Sequence, residues 1–145
     1  MDPLILPGEP ASLSAIGRYI VDAAAAAGLD RSAAYKLRLA VDELATNVVI
    51  HGYQEAALEG DVFVAADMDE HVLTIAIEDT ARPFDPTAQS LPDEEELDMP
   101  LNERPIGGLG VLLAREGVDD LRYEYTNGRN RTIITVNRPT GAITD

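Results

Sequence analysis

The order of the hydrophobic patterns predicts an α+β fold, a two-layer sandwich with helices on one face of a mixed, mainly antiparallel sheet. Two segments with helical spacing come first, and pairs of alternating segments joined by short polar turns come later. Helices and hairpins that are segregated along a chain usually form two packed layers around one core. The length of 145 residues is that of one domain, so we expect a single domain over residues 1–145.

Two helices are predicted in the first third of the chain. The first ends before Gly28, which stands where a left-handed C-terminal cap is expected. The second begins after Asp30, a typical N-cap residue, and runs to about Ile50, with Gly52 just beyond its end. Apolar residues repeat every three or four positions in both segments, at Leu13, Ile16, Ile20, Val21, Ala24 and Ala27 and then at Leu37, Val41, Leu44 and Val48.

Four strands are predicted as two hairpins. Residues 61–66 and 72–79 carry alternating apolar side chains, and the polar segment 67–71 connects them. Residues 121–126 and 132–138 form the second pair, which flanks an Asn-Gly turn of the kind preferred in tight hairpins.

A long polar segment separates the two hairpins. Residues from 87 to about 106 contain an acidic run at 93–96, three prolines and few large apolar side chains. Loops of this length inside a domain are usually either functional lids or disordered. Because this segment lies between two candidate pocket segments, we predict that it is a lid.

The composition excludes several classes of function. The chain carries 26 acidic and 11 basic residues and a net charge of −15, which would repel a nucleic-acid backbone, so no direct nucleic-acid binding is expected. No cysteine is present for a disulfide or a thiolate nucleophile, and the two histidines are too few for a histidine-built metal site. The chain lacks a signal sequence and a membrane-spanning apolar run, which predicts a cytoplasmic location without membrane attachment. The acidity is typical of soluble proteins and also fits a partner with a basic surface.

The second helix carries polar side chains at a spacing that suits catalysis. Glu43, Asn47 and His51 follow one another at intervals of four residues, so they project from one face, with about 6 Å of helix rise between neighbours. The Asn47 carboxamide oxygen is a neutral ligand that Mg²⁺ accepts, and Glu43 could accept a proton from a hydroxyl that attacks a phosphoryl group. The alternative is that Glu43 pairs with a surface cation and that Asn47 makes a local hydrogen bond.

A second candidate group follows the strand that ends at Asp79. A carboxylate held there could accept a hydrogen bond from the exocyclic amine of adenine. The alternative is a capping aspartate, which is common at strand ends. Thr132, which enters the last predicted strand, could add a hydroxyl to this site, although threonine is also an ordinary strand residue. Phe84 is expected in the core rather than as a platform for a base.

The third candidate group is a glycine run at Gly107, Gly108 and Gly110, with Leu109 between the last two. It opens a predicted helix over 109–116, and glycines there allow backbone N–H groups to approach phosphate oxygens at the positive end of the helix. The spacing matches neither a Walker A loop nor a full dinucleotide fingerprint.

Taken together, these segments resemble the N box, G1 box and G2 box of the gyrase, Hsp90, histidine kinase and MutL ATPase superfamily. Within it, the chain is most similar to the anti-sigma factor serine/threonine kinases, the RsbW and SpoIIAB family. The resemblance rests on the opening segment 6–10, the Glu-x-x-x-Asn-x-x-x-His-Gly-Tyr helix at 43–53, the Pro-Phe-Asp-Pro turn at 83–86 and the Asn-Arg-Thr sequence at 130–132. It covers nearly the whole chain.

The resemblance implies a Bergerat-type ATP-binding fold, with ATP and Mg²⁺ as ligands. By this resemblance Asn47 would ligate Mg²⁺, Glu43 would activate a substrate serine, Asp79 would bind the adenine amine, and Thr132 would support the adenine. The glycine run, Gly107 to Gly110, would line the phosphates. His51 would be a packing residue or would act behind the ligand-binding residues. One departure is Ala81, which stands where the superfamily usually has glycine, so its methyl group is expected to weaken nucleotide binding if it crowds the ligand.

The resemblance also implies partners. The expected ones are a small anti-sigma factor antagonist of the STAS type, which would be the phosphorylated substrate, and a sigma factor that the kinase sequesters. A homodimer is expected as well. Two alternatives are a non-catalytic module that controls a partner through nucleotide occupancy and a detached histidine-kinase catalytic domain, which is disfavoured because no dimerising helix with a phosphoacceptor histidine is present.

Overall fold

Two helices form one layer of the molecule. The computed structural model describes residues 1–88 and 116–139, and in it a short 3₁₀ turn at Pro10–Ser12 leads into helix α1, Leu13–Ala26. Helix α2, Arg31–Thr46, follows and continues as a π-helical segment, Asn47–Gln54. The boundaries at the turn between the helices confirm the predicted signals. Gly28 has φ of 75°, and the Asp30 carboxylate accepts a hydrogen bond of 2.8 Å from the backbone N–H of Ala33.

The end of the second helix differs from the prediction. The helical chain does not stop near Ile50, and Gly52 lies inside it. Backbone N–H groups of Glu55 and Leu58 donate to carbonyls five residues earlier, at 2.8 and 2.9 Å, which is the wider π pattern. A Cβ placed on Gly52 would lie 3.2 Å from the Cβ of Ala81. Glycine therefore allows the close approach to Ala81 without a shift of either side, and it does not mark the helix end.

Five strands form the second layer, and every pairing among the described residues is antiparallel. The strands are β1 Leu4–Pro7, β2 Asp61–Met68, β3 Val72–Asp79, β4 Asp120–Thr126 and β5 Arg129–Asn137. Their order across the sheet is β1-β2-β3-β5-β4. The helices lie on one face, which confirms the α+β sandwich.

Strand β1 is not among the predicted strands, and β5 begins three residues earlier than predicted. Strand β1 pairs with β2 through Leu4 opposite Val64 and Leu6 opposite Val62. A segment of four residues is too short for its pattern to indicate a strand. The extended conformation of β1 therefore depends on its pairing with β2. The turn between β4 and β5 is confirmed, since Asn127 and Gly128 have φ of 54° and 75°, as a two-residue hairpin turn requires.

The core lies between the helices and the inward face of the sheet. Inward residues of β2, β3 and β5 alternate with outward ones and pack on the apolar stripes of both helices. The largest fully buried side chains include Tyr53, Ile16, Ile20, Leu37, Leu73, Ile75 and Ile134. Replacing one of these leucines or isoleucines with alanine is expected to cost about 2–5 kcal/mol of stability.

The strand register places polar residues at the inward end of this core. Asp79 is opposite Asn130, and Ile77 is opposite Thr132, in the pairing of β3 with β5. All four side chains therefore share the helix-facing side of the sheet. The predicted lid at 87–106, the glycine run and the helix over 109–116 fall outside the described residues, apart from Thr87, Ala88 and Glu116.

Candidate functional site

A cavity of about 220 Å³ lies between the π-helical segment and the end of β3. Residues from the second helical chain form one wall, and residues from β3, the following turn and β5 form the other. Its lining consists of Leu44, Asn47, Val48, His51, Gly52, Ala56, Ile77, Asp79, Ala81, Arg82, Pro83, Phe84, Pro86, Asn130 and Thr132. The structure thus brings Asn47, Asp79, Ala81 and Thr132, which sequence analysis selected separately, to one cavity.

Asp79 is the buried carboxylate of this site, with 4% of its surface exposed. Its Oδ1 accepts hydrogen bonds of 2.9 Å from the backbone N–H of Ala81 and from Nδ2 of Asn130. Its Oδ2 receives none from the residues that the structure describes. Burial raises the pKa of the Asp79 carboxyl, and the hydrogen bonds from Asn130 and Ala81 oppose that shift. Asp79 therefore presents one unused acceptor oxygen at the cavity wall.

Asn130 entered the sequence analysis only through the Asn-Arg-Thr sequence at 130–132, and no role in the site was predicted for it. It is 5% exposed, and its Nδ2 donates to Asp79 Oδ1 and to the carbonyls of Ala81 and Arg82, at 2.9, 3.2 and 3.0 Å. Its Oδ1 accepts the backbone N–H of Phe84 at 2.9 Å and the hydroxyl of Tyr123. The alternation of inward and outward residues along β5 could have indicated its position. Asn130 precedes Thr132 by two residues, so the two side chains lie on the same inward face.

Asn47 opens the π-helical segment and lies in the opposite wall of the cavity. Its Nδ2 is buried without a hydrogen-bond partner, and its Oδ1 makes no hydrogen bond to any other described side chain or backbone group. The local hydrogen bond offered as the alternative role for Asn47 is therefore missing within residues 1–88 and 116–139. An unused carboxamide at a cavity wall fits a ligand, and its oxygen is of the type that Mg²⁺ accepts.

Glu43 precedes Asn47 by one helical turn, but the structure does not place it in the cavity lining. It is half-buried, and its carboxylate makes no ion pair or hydrogen bond with other described side chains. The nearby cation Arg38 pairs instead with Asp42, with 3.7 Å between Nε and Oδ2. The described residues therefore give Glu43 neither the surface ion pair nor direct contact with the cavity.

Thr132 and Ala81 occupy the wall around Asp79. Thr132 is 8% exposed and follows the buried Asn130 on the inward face of β5. Ala81 is 5% exposed, does not have positive φ, and its methyl group packs towards Gly52. Alanine is thus accommodated at this position without backbone strain.

Two further residues line the cavity against expectation. Phe84 is half-buried and belongs to the cavity wall, so the prediction that it lies in the core is wrong. The hydrogen bond from its backbone N–H to Asn130 fixes the turn in that position. His51, expected to pack or to act behind the ligand-binding residues, also lines the cavity, and its Nδ1 lies 2.8 Å from Oε2 of Glu55.

The described residues contain neither a cluster of metal-binding side chains nor a helix that could span a membrane. No three His, Cys, Asp or Glu side chains within residues 1–88 and 116–139 come together as a metal-binding cluster. No helix in the same part of the chain is both long enough and apolar enough to span a membrane. The glycine run, Gly107 to Gly110, lies outside the described residues.

Comparison with known proteins places these features in a wider group. A family model described as a histidine kinase-like ATPase domain matches residues 6–136. The serine-protein kinase RsbW of Listeria innocua is 30% identical over 127 residues, which cover 86% of this chain and 80% of that protein. Anti-sigma F factors of Bacillus licheniformis and Bacillus subtilis are 26% and 28% identical over 102 residues, or 68% of this chain. The match spans 64% of the length of each of these anti-sigma F factors.

Proposed function

The chain belongs to the histidine kinase-like ATPase domain family, and on this premise we propose that it is an ATP- and Mg²⁺-dependent protein serine kinase that also acts as an anti-sigma factor. The observation that carries the proposal is the cavity in which the unused polar atoms of Asp79 and Asn47 occupy opposite walls. The similarity to proteins named serine-protein kinase RsbW and anti-sigma F factor supports the kinase and anti-sigma roles.

Asp79 would bind the nucleotide through its base. Ionised, its Oδ2 can only accept a hydrogen bond, and the exocyclic amine of adenine is a donor. Thr132 lies beside it on the inward face and would support the adenine through its hydroxyl. The apolar residues of the lining would cover the faces of the base, as is usual in small-molecule sites.

Asn47 would hold Mg²⁺ through its carboxamide oxygen. The chemistry that a metal held there would supply is neutralisation of the negative charge on the transferred phosphoryl group. One protein ligand suffices for such a site, because Mg²⁺ usually keeps several waters and takes further oxygens from the phosphates. The lack of a cluster of acidic ligands among the described residues therefore agrees with this role. Gly107, Gly108, Leu109 and Gly110 would surround the phosphates through their backbone N–H groups.

Glu43 would be the general base. The substrate serine oxygen forms a bond to the γ-phosphorus, the bond from that phosphorus to the bridging oxygen of ADP breaks, and the serine proton passes to the Glu43 carboxylate. Two features support this role: the carboxylate has no ion pair or hydrogen bond among the described side chains, and it lies one turn from Asn47. Because it lies outside the cavity lining, it would meet a protein hydroxyl arriving from the surface.

The substrate would be a serine on a STAS-type anti-sigma factor antagonist, and a sigma factor would be the alternative partner. Both assignments rest on the names of the relatives and on the sequence resemblance. We also propose a cytoplasmic homodimer. The outward face of the sheet carries apolar side chains at Ile5, Phe63, Ala65 and Ile133, of which Ile5 is exposed and Phe63 lies 4.1 Å below the guanidinium of Arg129.

A second candidate function is a non-catalytic module whose nucleotide occupancy controls a partner. The position of Glu43 outside the cavity lining favours it, because no described acidic side chain other than Asp79 then reaches the cavity.

Phosphate transfer separates the two functions. The purified chain is incubated with γ-labelled ATP, Mg²⁺ and a STAS-type antagonist that carries its serine. A kinase labels the antagonist and does not label a serine-to-alanine version of it. Nucleotide binding without labelling would contradict the kinase and support the module, and no binding of ATP would contradict both.

A further inference from the structure

We propose that Asn130 sets the base preference of the cavity by holding the Asp79 carboxylate and the following turn in one orientation. The inference rests on the proposed nucleotide-binding function and adds a residue that determines specificity without a hydrogen bond to the ligand. It is a positioning role, because both polar atoms of Asn130 are already used within the protein.

The hydrogen bonds of Asn130 exhaust its amide. Nδ2 has two hydrogens and three acceptors within 3.2 Å, which are Asp79 Oδ1 and the carbonyls of Ala81 and Arg82. Oδ1 has two lone pairs and two donors, the backbone N–H of Phe84 and the hydroxyl of Tyr123. No hydrogen or lone pair is left for a molecule in the cavity.

These hydrogen bonds hold both ends of the turn that follows β3, at Asp79 and at Phe84. Nδ2 binds the carboxylate at the end of β3 and the carbonyls of the next two cavity-lining residues, while Oδ1 holds the N–H of Phe84. The chain from Asp79 to Phe84 thus folds around a single side chain supplied by β5. A buried polar group with all its partners present gives a rigid, unique arrangement, and removing it would leave several buried groups unsatisfied.

The consequence for Asp79 is that its two oxygens have different roles. Oδ1 is occupied by Asn130 and by the N–H of Ala81, so only Oδ2 is available to a ligand. A carboxylate fixed in this way accepts a hydrogen bond from an amine at position 6 of a purine. A carbonyl at that position would bring two acceptors together and leave both unsatisfied. If Asp79 could rotate, either oxygen or a bridging water could adapt to either base.

The residue type at position 130 is important for this role. Aspartate would place a second acceptor against Asp79 Oδ1 and two carbonyls, and leucine would leave all of these groups unpaired. Asparagine presents a donor on one side and an acceptor on the other at the correct distance from the strand. Tyr123 supports the orientation from β4, since its hydroxyl donates to the oxygen side of the amide.

The test compares ATP with inosine triphosphate, which has a carbonyl in place of the amine. Dissociation constants of both nucleotides are measured by calorimetry, with Mg²⁺, for the unmodified chain and for Asn130→Ala. We expect the unmodified chain to prefer ATP by about 10–100-fold, the value of one hydrogen bond to a charged group. Asn130→Ala should reduce that ratio by about tenfold, since the carboxylate is then free to turn. The control is Asn137→Ala, an exposed asparagine on the same strand, which should retain the ratio.

The outcomes separate this inference from the proposed function. If the unmodified chain binds neither nucleotide, the proposed function itself is contradicted. If it binds both equally, or if folded Asn130→Ala keeps the full preference for ATP, the inference is overturned while nucleotide binding remains. If Asn130 were purely structural, Asn130→Ala would lower the affinity for both nucleotides alike and leave the ratio of their dissociation constants unchanged. If circular dichroism shows that Asn130→Ala is unfolded, Asn130→Ser is measured by the same criteria, because its hydroxyl can still pair with part of the turn.

Discussion

The two walls of the cavity differ in how completely their polar groups are satisfied. On the sheet side, Asp79 and Asn130 share a network in which only Asp79 Oδ2 is left without a partner among the described residues. On the helix side, His51 pairs with Glu55, but the carboxamide of Asn47 makes no hydrogen bond with other described groups. Glu43, just outside the cavity lining, has no partner among the described side chains either. The polar groups of the sheet wall are thus fixed by hydrogen bonds within the protein, whereas Asn47 and Glu43 are not.

This difference matches what each wall would have to do. Recognition of a base requires acceptors and donors in fixed positions, because specificity comes from the cost of mismatched groups. Metal binding and proton transfer require groups that are not already committed to the protein. The buried Nδ2 of Asn47, which has no partner among the described residues, costs stability in the free protein, and an acceptor on a bound ligand would recover it.

The largest expected effect is on the helix side, at the proposed base. Glu43→Gln should reduce phosphate transfer to the antagonist by about 10²–10⁴-fold, because glutamine cannot accept the serine proton, while ATP affinity stays the same. Single-turnover labelling and calorimetry measure the two quantities. The matched control is Asp42→Asn, the neighbouring carboxylate paired with Arg38, which should keep its transfer rate. Equal transfer by Glu43→Gln would remove Glu43 from its role.

The next effect concerns the proposed metal ligand. Asn47→Ala should abolish the thermal stabilisation by Mg-ATP, which at a concentration of 100 times the dissociation constant is worth about 2.7 kcal/mol in a binding-competent protein. Differential scanning fluorimetry with and without Mg²⁺ measures this shift. A variant that retained a full Mg²⁺-dependent shift would show that the helix wall does not hold the metal through this residue.

A change on the sheet side should have opposite effects on affinity and stability. Asp79→Asn keeps an acceptor for Asn130 and Ala81, but it loses the charged acceptor for the amine, so ATP affinity should fall by about 10–100-fold. Its free energy of unfolding at pH 7 should rise by about 1 kcal/mol, because a buried charge is removed. Titration calorimetry and urea unfolding measure the two changes. A less stable variant would contradict the cost assigned to the buried carboxylate.

The pH dependence of the unmodified protein has a definite sign. Because burial raises the pKa of Asp79 in the folded state, the folded protein holds this proton more tightly than the unfolded chain does. Protonated Asp79 therefore stabilises the folded state. This stabilisation is fully present below the ordinary pKa of an aspartate and is lost as the pH rises through the raised pKa of Asp79 in the folded protein. The difference in unfolding free energy between Asp79→Asn and the unmodified protein, followed by urea unfolding against pH, should therefore grow across this range. A difference that did not change with pH would contradict the raised pKa.

The smallest expected effect is at the joint between the walls. The Tyr53 hydroxyl, on the π-helical segment, donates to the carbonyl of Asp61 and accepts the N–H of Thr80, both at 2.8 Å. Tyr53→Phe should lower the unfolding free energy by about 0.5–1.5 kcal/mol, since it removes these part-buried hydrogen bonds while water can still reach Asp61 and Thr80. Tyr35→Phe, at a tyrosine that is 66% exposed, is the control and should change little. Equal stabilities for the two variants would show that this joint is not needed.

The sequence predicted the parts of the fold that follow from local patterns. The Asp30 cap, the Gly28 turn and the alternation of β3 all express preferences of the residues themselves. Strand β1 and the π-helical segment could not be found in this way. Strand β1 depends on its pairing with β2. The π-helical segment differs from an α-helix only in that backbone N–H groups donate to carbonyls five residues earlier instead of four.

Part of the candidate site was predictable from single residues, but its hydrogen-bond network was not. Asp79, Asn47 and Thr132 carry chemical groups that suggest ligands, and all three line one cavity. Asn130 does not suggest a ligand, because its importance lies in contacts with the Asp79 carboxylate and with backbone groups 46–51 residues away in sequence. Such contacts depend on the register between β3 and β5, which a single sequence does not specify.

A crystal structure with Mg²⁺ and a non-hydrolysable ATP analogue tests most directly whether the two walls bind one nucleotide. If they do, the 6-amino nitrogen should lie about 3 Å from Asp79 Oδ2 and the metal on the carboxamide oxygen of Asn47. Adenine bound elsewhere, with the space between Asp79 and Asn47 filled by the protein's own side chains, would contradict this arrangement.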